Sequence, residues 1–203
     1  MSRCAALSRC LLATAICASL AIAPLAADEA EVSSEIETIL ANIADAGDKL
    51  IQLAEATGDD QFAWSPTDEV RTVSEVYMHV VGTNLLMPAA LGAAPPEGLE
   101  MTGSPFAMMG EMEKTITSKA DVVERLKASF EYVGPAIASI TDLETEVTLF
   151  GPPASKRAYI LIILAHAHEH LGQSIAYARS VGVVPPWSQP LPSGDDEGEG
   201  DGS

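Results

Sequence analysis

Residues 155–180 read SKRAYILIILAHAHEHLGQSIAYARS, the most hydrophobic stretch of the chain once its first 27 residues are set aside. Ser155 stands where a helix N-cap accepts a free backbone N–H, and Gly182 with Pro185-Pro186 closes the segment. The spacing predicts one helix from Lys156 to about Ser180. At about 100° per residue, His166 and His170 fall about 40° apart on one face, which they share with Tyr159, Ile162, Ile163, Gln173 and Tyr177. That face is predicted to look into the interior of a helical domain. His168 falls roughly opposite and is predicted to meet solvent, with Glu169 at the flank.

Working outward, three more helices can be read. Ser34-Glu35-Ile36-Glu37 has the pattern of a capping box, and the apolar residues from Ile36 to Leu53 predict a first helix over residues 34–57. Thr72-Val73-Ser74-Glu75 is a second capping box; its helix carries Val76, His79, Val80, Thr83 and Leu86 to about Leu91, with a kink or break expected at Pro88. Ser118 opens a third helix that runs through Ile137 and is perturbed at Gly134-Pro135. Two long connections separate these elements. Residues 92–116 hold Met101, Met108, Met109 and Met112 and are expected to include a short helix after Pro105. Residues 141–155 are expected to be briefly extended over Val147–Phe150 before Gly151. Phe62 and Trp64 are expected to fold from their loop onto the core. No internal repeat or glycine-rich phosphate loop is present. The expected fold is all-α: a four-helix bundle over residues 28–188, with long connections between helices 2 and 3 and between helices 3 and 4.

His79 lies on the second helix beside Thr72, Glu75, Val76, Thr83 and Leu86, again a mainly apolar stripe. A buried imidazole needs a partner for each ring nitrogen, so three turned inward demand an explanation. A divalent cation supplies one. Two histidines at i and i+4 can share a metal, and one from a facing helix adds a third ligand and leaves a fourth position open. Glu75, one turn before His79, and Gln173, three residues after His170, are candidates for orienting ring nitrogens. The plainer reading is that the histidines are core residues satisfied by hydrogen bonds, and on spacing alone both readings stand.

The chain resembles the DinB-like family of metal-binding four-helix bundles. The resemblance runs from about Ile36 to Trp187 and rests on Trp64-Ser65-Pro66 before Val70-Arg71-Thr72-Val73, on Met78-His79-Val80, and on His166 followed by His170-Leu171-Gly172-Gln173. It implies a divalent metal held by His79, His166 and His170. Zinc or nickel come first among the metals, with iron and manganese also admitted, because neutral imidazole suits several of them. Many members have Arg where Leu171 stands, so a charge expected near the metal is missing. The characterised members suggest thiol-dependent S-transferases and isomerases. That leads to a metal-dependent hydrolase or transferase acting on an unidentified small molecule. The alternative is a non-enzymatic metal- or small-ligand-binding bundle, to which the methionines of residues 101–112 could add soft ligands for Cu(I). A bundle that keeps its histidines for structure alone is a third reading.

Composition bounds the rest. With 11 basic and 29 acidic side chains, the formal charge is −18, and only 5% of residues are aromatic. Nucleic acid and anionic membrane surfaces are poor partners for such a chain, which lacks both the clustered cations and the stacking platforms they need. Arg3 and Arg9, the apolar run Leu11–Ile22 and Pro24-Leu25-Ala26-Ala27 have the pattern of a secretory leader, with cleavage after Ala27. An uncleaved anchor is the competing reading. Cleavage would remove Cys4, Cys10 and Cys17, all three cysteines, and would lower the net charge from −18 to −20 because Arg3 and Arg9 go with them. The expected product is an exported, periplasmic or secreted protein without thiols, not stably inserted in a membrane. It ends in a disordered acidic tail over residues 189–203. A homodimer is left open, with no sequence signal for it.

Overall fold

Three helix starts follow from their caps in the computed structural model, which describes residues 23–189, with side chains from residue 33 onward. Thr72 Oγ1 accepts from the Glu75 N–H (3.3 Å) while Glu75 Oε2 accepts from the Thr72 N–H (2.9 Å), a complete capping box. Ser118 accepts from Asp121 N–H and Ser155 from Ala158 N–H, each at 3.2 Å. The elements are α1 (Ala23–Ala56), α2 (Val73–Ala90), α3 (Pro105–Thr115), α4 (Lys119–Ala138) and α5 (Lys156–Ser180), with a two-stranded pair, β1 (Glu146–Val147) and β2 (Ala154–Ser155). By its contacts the chain divides into Met1–Glu35 and Ile36–Ser203, and the bundle belongs to the second unit. The expected leader falls outside the described residues up to residue 22, as does the acidic tail from Pro190.

Helices α1, α2, α4 and α5 are the four expected from the sequence, and α3 is the short helix expected after Pro105. Four local expectations are corrected. Ser34 does not start a helix: α1 already begins at Ala23, because residues 25–33 are rich in helix formers and hold no breaker. Pro88 does not break α2. It sits in the last turn, so the one i→i−4 hydrogen bond it removes is lost where the helix is ending, and Pro135 is placed likewise in α4. The extended segment is shorter than Val147–Phe150. Glu146 pairs with Ser155 and Val147 with Ala154, and Gly151 supplies the positive φ (74°) of the intervening turn.

The fourth correction concerns which side of α5 faces the core. Ala167 and Leu171 pack with Ala46, Leu50 and Ala54 of α1, Tyr77, Met78 and Val81 of α2, and Val122 and Leu126 of α4. Of the expected stripe, Tyr159, Ile163 and His170 are buried, while Ile162 is 39% exposed and His166, Gln173 and Tyr177 are half-buried, so the stripe lies along the margin of the buried face and not at its centre. Helix α2, by contrast, buries thirteen of its eighteen residues, so any polar side chain on it meets protein or a cavity before it meets bulk water. Phe62 is buried against Tyr77 as expected, and Trp64 packs edge-on to Tyr177 with ring centres 5.3 Å apart. Among the described residues, no helix is long and apolar enough to cross a membrane.

Candidate metal centre

The i, i+4 spacing on α5 and the position of His79 on α2 place three imidazoles around one point. Ring centres lie 4.8 Å apart for His79–His166 and His79–His170 and 4.3 Å for His166–His170. One ligand atom from each lies within 4.8 Å of the others. All three expected histidines are thus brought together. His168 is exposed on the far side of α5, as its helix angle predicted.

The second nitrogens of two rings are already engaged. His79 Nδ1 pairs with Glu113 Oε1 at 2.7 Å, and His170 Nδ1 pairs with Gln173 Oε1 at 2.8 Å. A carboxylate or amide oxygen at Nδ1 fixes the tautomer that carries the proton there and leaves Nε2 bare. Gln173 is in turn oriented by its own Nε2, which donates to Tyr177 OH at 3.1 Å. The third ring differs: His166 Nε2 lies 3.2 Å from Thr83 Oγ1, whose hydroxyl also reaches Met109 Sδ at 3.6 Å. Gln173 was expected to orient a ring; Glu75 was too, but does not. Glu75 is engaged by Thr72 N–H and by Lys114 Nζ at 2.6 Å.

Glu113 and Arg71 are the residues that sequence reasoning missed. Glu113 is the one residue α3 buries, and its second oxygen accepts from Arg71 Nε at 2.8 Å. A buried carboxylate without such a cation would be costly, so the Arg71–Glu113–His79 chain is satisfied at each joint. A signal was available. Glu113 follows Phe106 by seven residues and Met109 by four, so it is a charged group on the apolar stripe of a helix. Arg71 also corrects the expectation of a missing charge: Leu171 turns into the core, while the cation near the histidines comes from the loop before α2. Of Gly172-Gln173, only Gln173 meets the site; Gly172 is exposed.

Burial is the first cause holding all three imidazoles below their ordinary pKa. His166 is pushed down to about 3, by burial and then by repulsion from His170, His79 and Arg71. For His79 burial outweighs the hydrogen bond to Glu113, and for His170 it outweighs the bond to Gln173. The rings are therefore neutral near pH 7, the form that ligates a metal. Neutral, convergent nitrogens with two of the outer nitrogens held by oxygen acceptors fit a divalent cation that takes nitrogen ligands at about 2.0–2.1 Å.

Two spaces flank the cluster. One, of about 110 Å³, is lined by His79, Thr83 and His166 at one end and by apolar side chains of α2, α3 and the β1–β2 turn elsewhere. The other, an open cleft of about 470 Å³, is lined by Arg71, Glu75, Glu113, Lys114, Gln173 and their neighbours. Of the four methionines, Met109 lines the apolar space, Met112 packs on the core and Met101 is exposed.

The model of the DinB superfamily matches residues 42–174, a span that includes all three histidines, Glu113 and Arg71. None of the curated proteins matches the chain. Among solved structures, a DinB-like protein from Bacillus subtilis is 21% identical with a TM-score of 0.56, covering 76% of this chain and 96% of its own. A DinB-like protein from Bacillus cereus is 17% identical with a TM-score of 0.59, covering 74% and 95%. A conserved protein from Enterococcus faecalis is 15% identical with a TM-score of 0.55, covering 70% and 94%. At these identities the likeness establishes a common fold.

Proposed function

The chain belongs to the DinB superfamily, and from that premise we propose that His79, His166 and His170 bind one divalent metal ion in a protein that acts on a small molecule as a hydrolase or transferase. The observation that carries this reading is the convergence of three neutral imidazoles within 4.8 Å, two of them held at Nδ1 by Glu113 and Gln173. Zinc or nickel is the proposed metal, with iron and manganese next, on the preference of imidazole. When bound, the ion supplies Lewis-acid polarisation of an oxygen or sulfur ligand.

The remaining work falls to the chain's own groups. Glu113 accepts the Nδ1 proton of His79 and thereby orients the ring and raises its basicity, and Gln173 does the same for His170. Arg71 neutralises Glu113, so the carboxylate that orients His79 carries no unpaired charge. The apolar side keeps water from one face of the site. Export is the proposed location, on the leader pattern of residues 1–27, and it favours hydrolysis over thiol transfer because small thiols are kept reduced mainly in the cytosol.

A second reading, a non-enzymatic metal- or small-ligand-binding bundle, draws on one observation. Glu113, the carboxylate that touches the histidines, is engaged by both His79 and Arg71, and Glu169 is exposed, so neither stands ready as a general base.

Metal content tests the common part of both readings. Residues 28–203, purified without a histidine tag, should carry or take up near one metal per chain, and the His166→Ala/His170→Ala double variant should carry none. A wild-type chain that neither holds metal nor loads on titration overturns the metal reading. Given a loaded protein, hydrolysis of simple esters, amides or phosphoesters separates the enzyme from the binder.

A further inference from the structure

We propose that the cavity beside His79 and His166 seats the apolar part of the site's ligand: a short alkyl chain or a single aromatic ring, carried by a head group that reaches the histidines. The head-group part rests on the metal reading above; the apolar part does not.

The walls define the class. Leu86 and Met87 of α2, Phe106 and Met109 of α3, Phe150 of the β1–β2 turn and Ile162 of α5 surround about 110 Å³. Among the lining side chains, only Thr83, His79 and His166 carry nitrogen or oxygen atoms. Water needs two to four polar partners to be held in such a space, so water entering through the mouth is weakly held and is displaced by an apolar group. A ring, or a chain of a few carbons, is therefore the size that fits.

The walls are also held in place, which separates a binding site from a packing gap. Phe150 stacks edge-on with Phe106 (5.5 Å) and with Tyr159 (5.2 Å). Buried Tyr159 accepts from Leu149 N–H and donates to the Phe150 carbonyl, pinning the turn from below. At the opposite wall Gly82 lets Met109 close in: a Cβ on residue 82 would stand 2.5 Å from Met109 Cγ. The mouth is rimmed by Phe106, Phe150 and Ile162, which are 46%, 40% and 39% exposed. Exposed apolar groups clustered at the rim of an apolar cavity mark a ligand-binding groove. The polar cleft lined by Arg71, Glu75, Glu113 and Lys114 is a separate space, so the apolar cavity is the one suited to a hydrocarbon group.

The test uses the whole protein and two kinds of probe. Acetohydroxamate and pentanohydroxamate share a metal-chelating head and differ by three methylenes, each worth about fourfold in affinity when buried. Calorimetry on the zinc-loaded protein should show pentanohydroxamate binding about 50-fold more tightly. Fluorobenzene, followed by ¹⁹F NMR, should bind the metal-free protein. Ile162→Trp, a change at a partly exposed rim position, should cancel both effects with zinc content unaltered, and Phe106→Ala should weaken fluorobenzene binding by opening the wall. Equal affinities for the two hydroxamates together with no fluorobenzene binding overturn the proposal even if zinc loads. Fluorobenzene binding that is indifferent to both substitutions overturns it too. A chain that takes fluorobenzene but no zinc keeps the cavity's role and refutes the metal reading alone.

Discussion

On one flank of the histidines, charged groups are chained together: Arg71 holds Glu113, Glu113 holds His79, and Lys114 holds Glu75. On the other, Phe106, Met109 and Phe150 leave His166 a single hydroxyl partner, Thr83. Helix α3 contributes to both flanks, with Glu113 and Met109 one helical turn apart. On the proposed function, orienting a metal ligand and choosing a substrate are separable tasks, since the first needs short hydrogen bonds and the second needs their absence. Substitutions should accordingly act on one flank and spare the other.

The largest effect is expected where the flanks meet. His170→Ala removes a ligand and leaves Gln173 without its ring partner, and metal measured after dialysis should fall from near one per chain to background. Next is Glu113→Ala, which frees the His79 ring and strands Arg71. Loss of such an orienting carboxylate typically weakens metal affinity about 10- to 100-fold. Competition with a chromogenic chelator reads this out, and fluorobenzene binding should be unchanged. If Glu113→Ala abolishes both, the flanks are not separable and the comparison fails.

Gly82→Ala probes the apolar flank alone. Alanine improves helix propensity by about 1 kcal/mol, but Met109 Cγ and Cβ both stand in the way, and overpacking costs about 1–3 kcal/mol. Denaturant unfolding should show a net loss of about 1 kcal/mol with metal affinity intact. A further check is the pH dependence of the metal-free protein. The folded imidazoles are held below the ordinary histidine value, His166 at about 3, so the unfolded chain binds more protons on the acid side of about 6.5. Stability should fall as pH drops from about 6.5 toward 3, where folded His166 itself titrates. His166→Gln should flatten that slope, measured by denaturation at pH 7 and pH 5.

The bundle helices were legible because their signals are local. The caps at Thr72, Ser118 and Ser155 need only residues three positions away, and the i, i+4 histidines need only one helix. The core side of α5 was only partly legible for a physical reason: Ala167 is too small to announce itself beside two imidazoles, yet it is fully buried in the core. Glu113 and Arg71 were illegible as a pair because they lie 42 residues apart and meet only once α3 crosses α2. Likewise, Phe150 reaches the site through the β1–β2 turn, whose two-residue register no local pattern announces.

Helix α3 buries one residue where α2 buries thirteen, and this sets how long each survives against solvent exchange. Amides in α2 are reached only when the whole domain opens, whereas those of α3 need only the release of Glu113, Met109 and Met112 from their partners. Deuterium should therefore enter α3 well ahead of α2 and α5. The same small excursion would uncouple His79 from its carboxylate and unroof the apolar space together, so the two flanks, separable by mutation, share one clock.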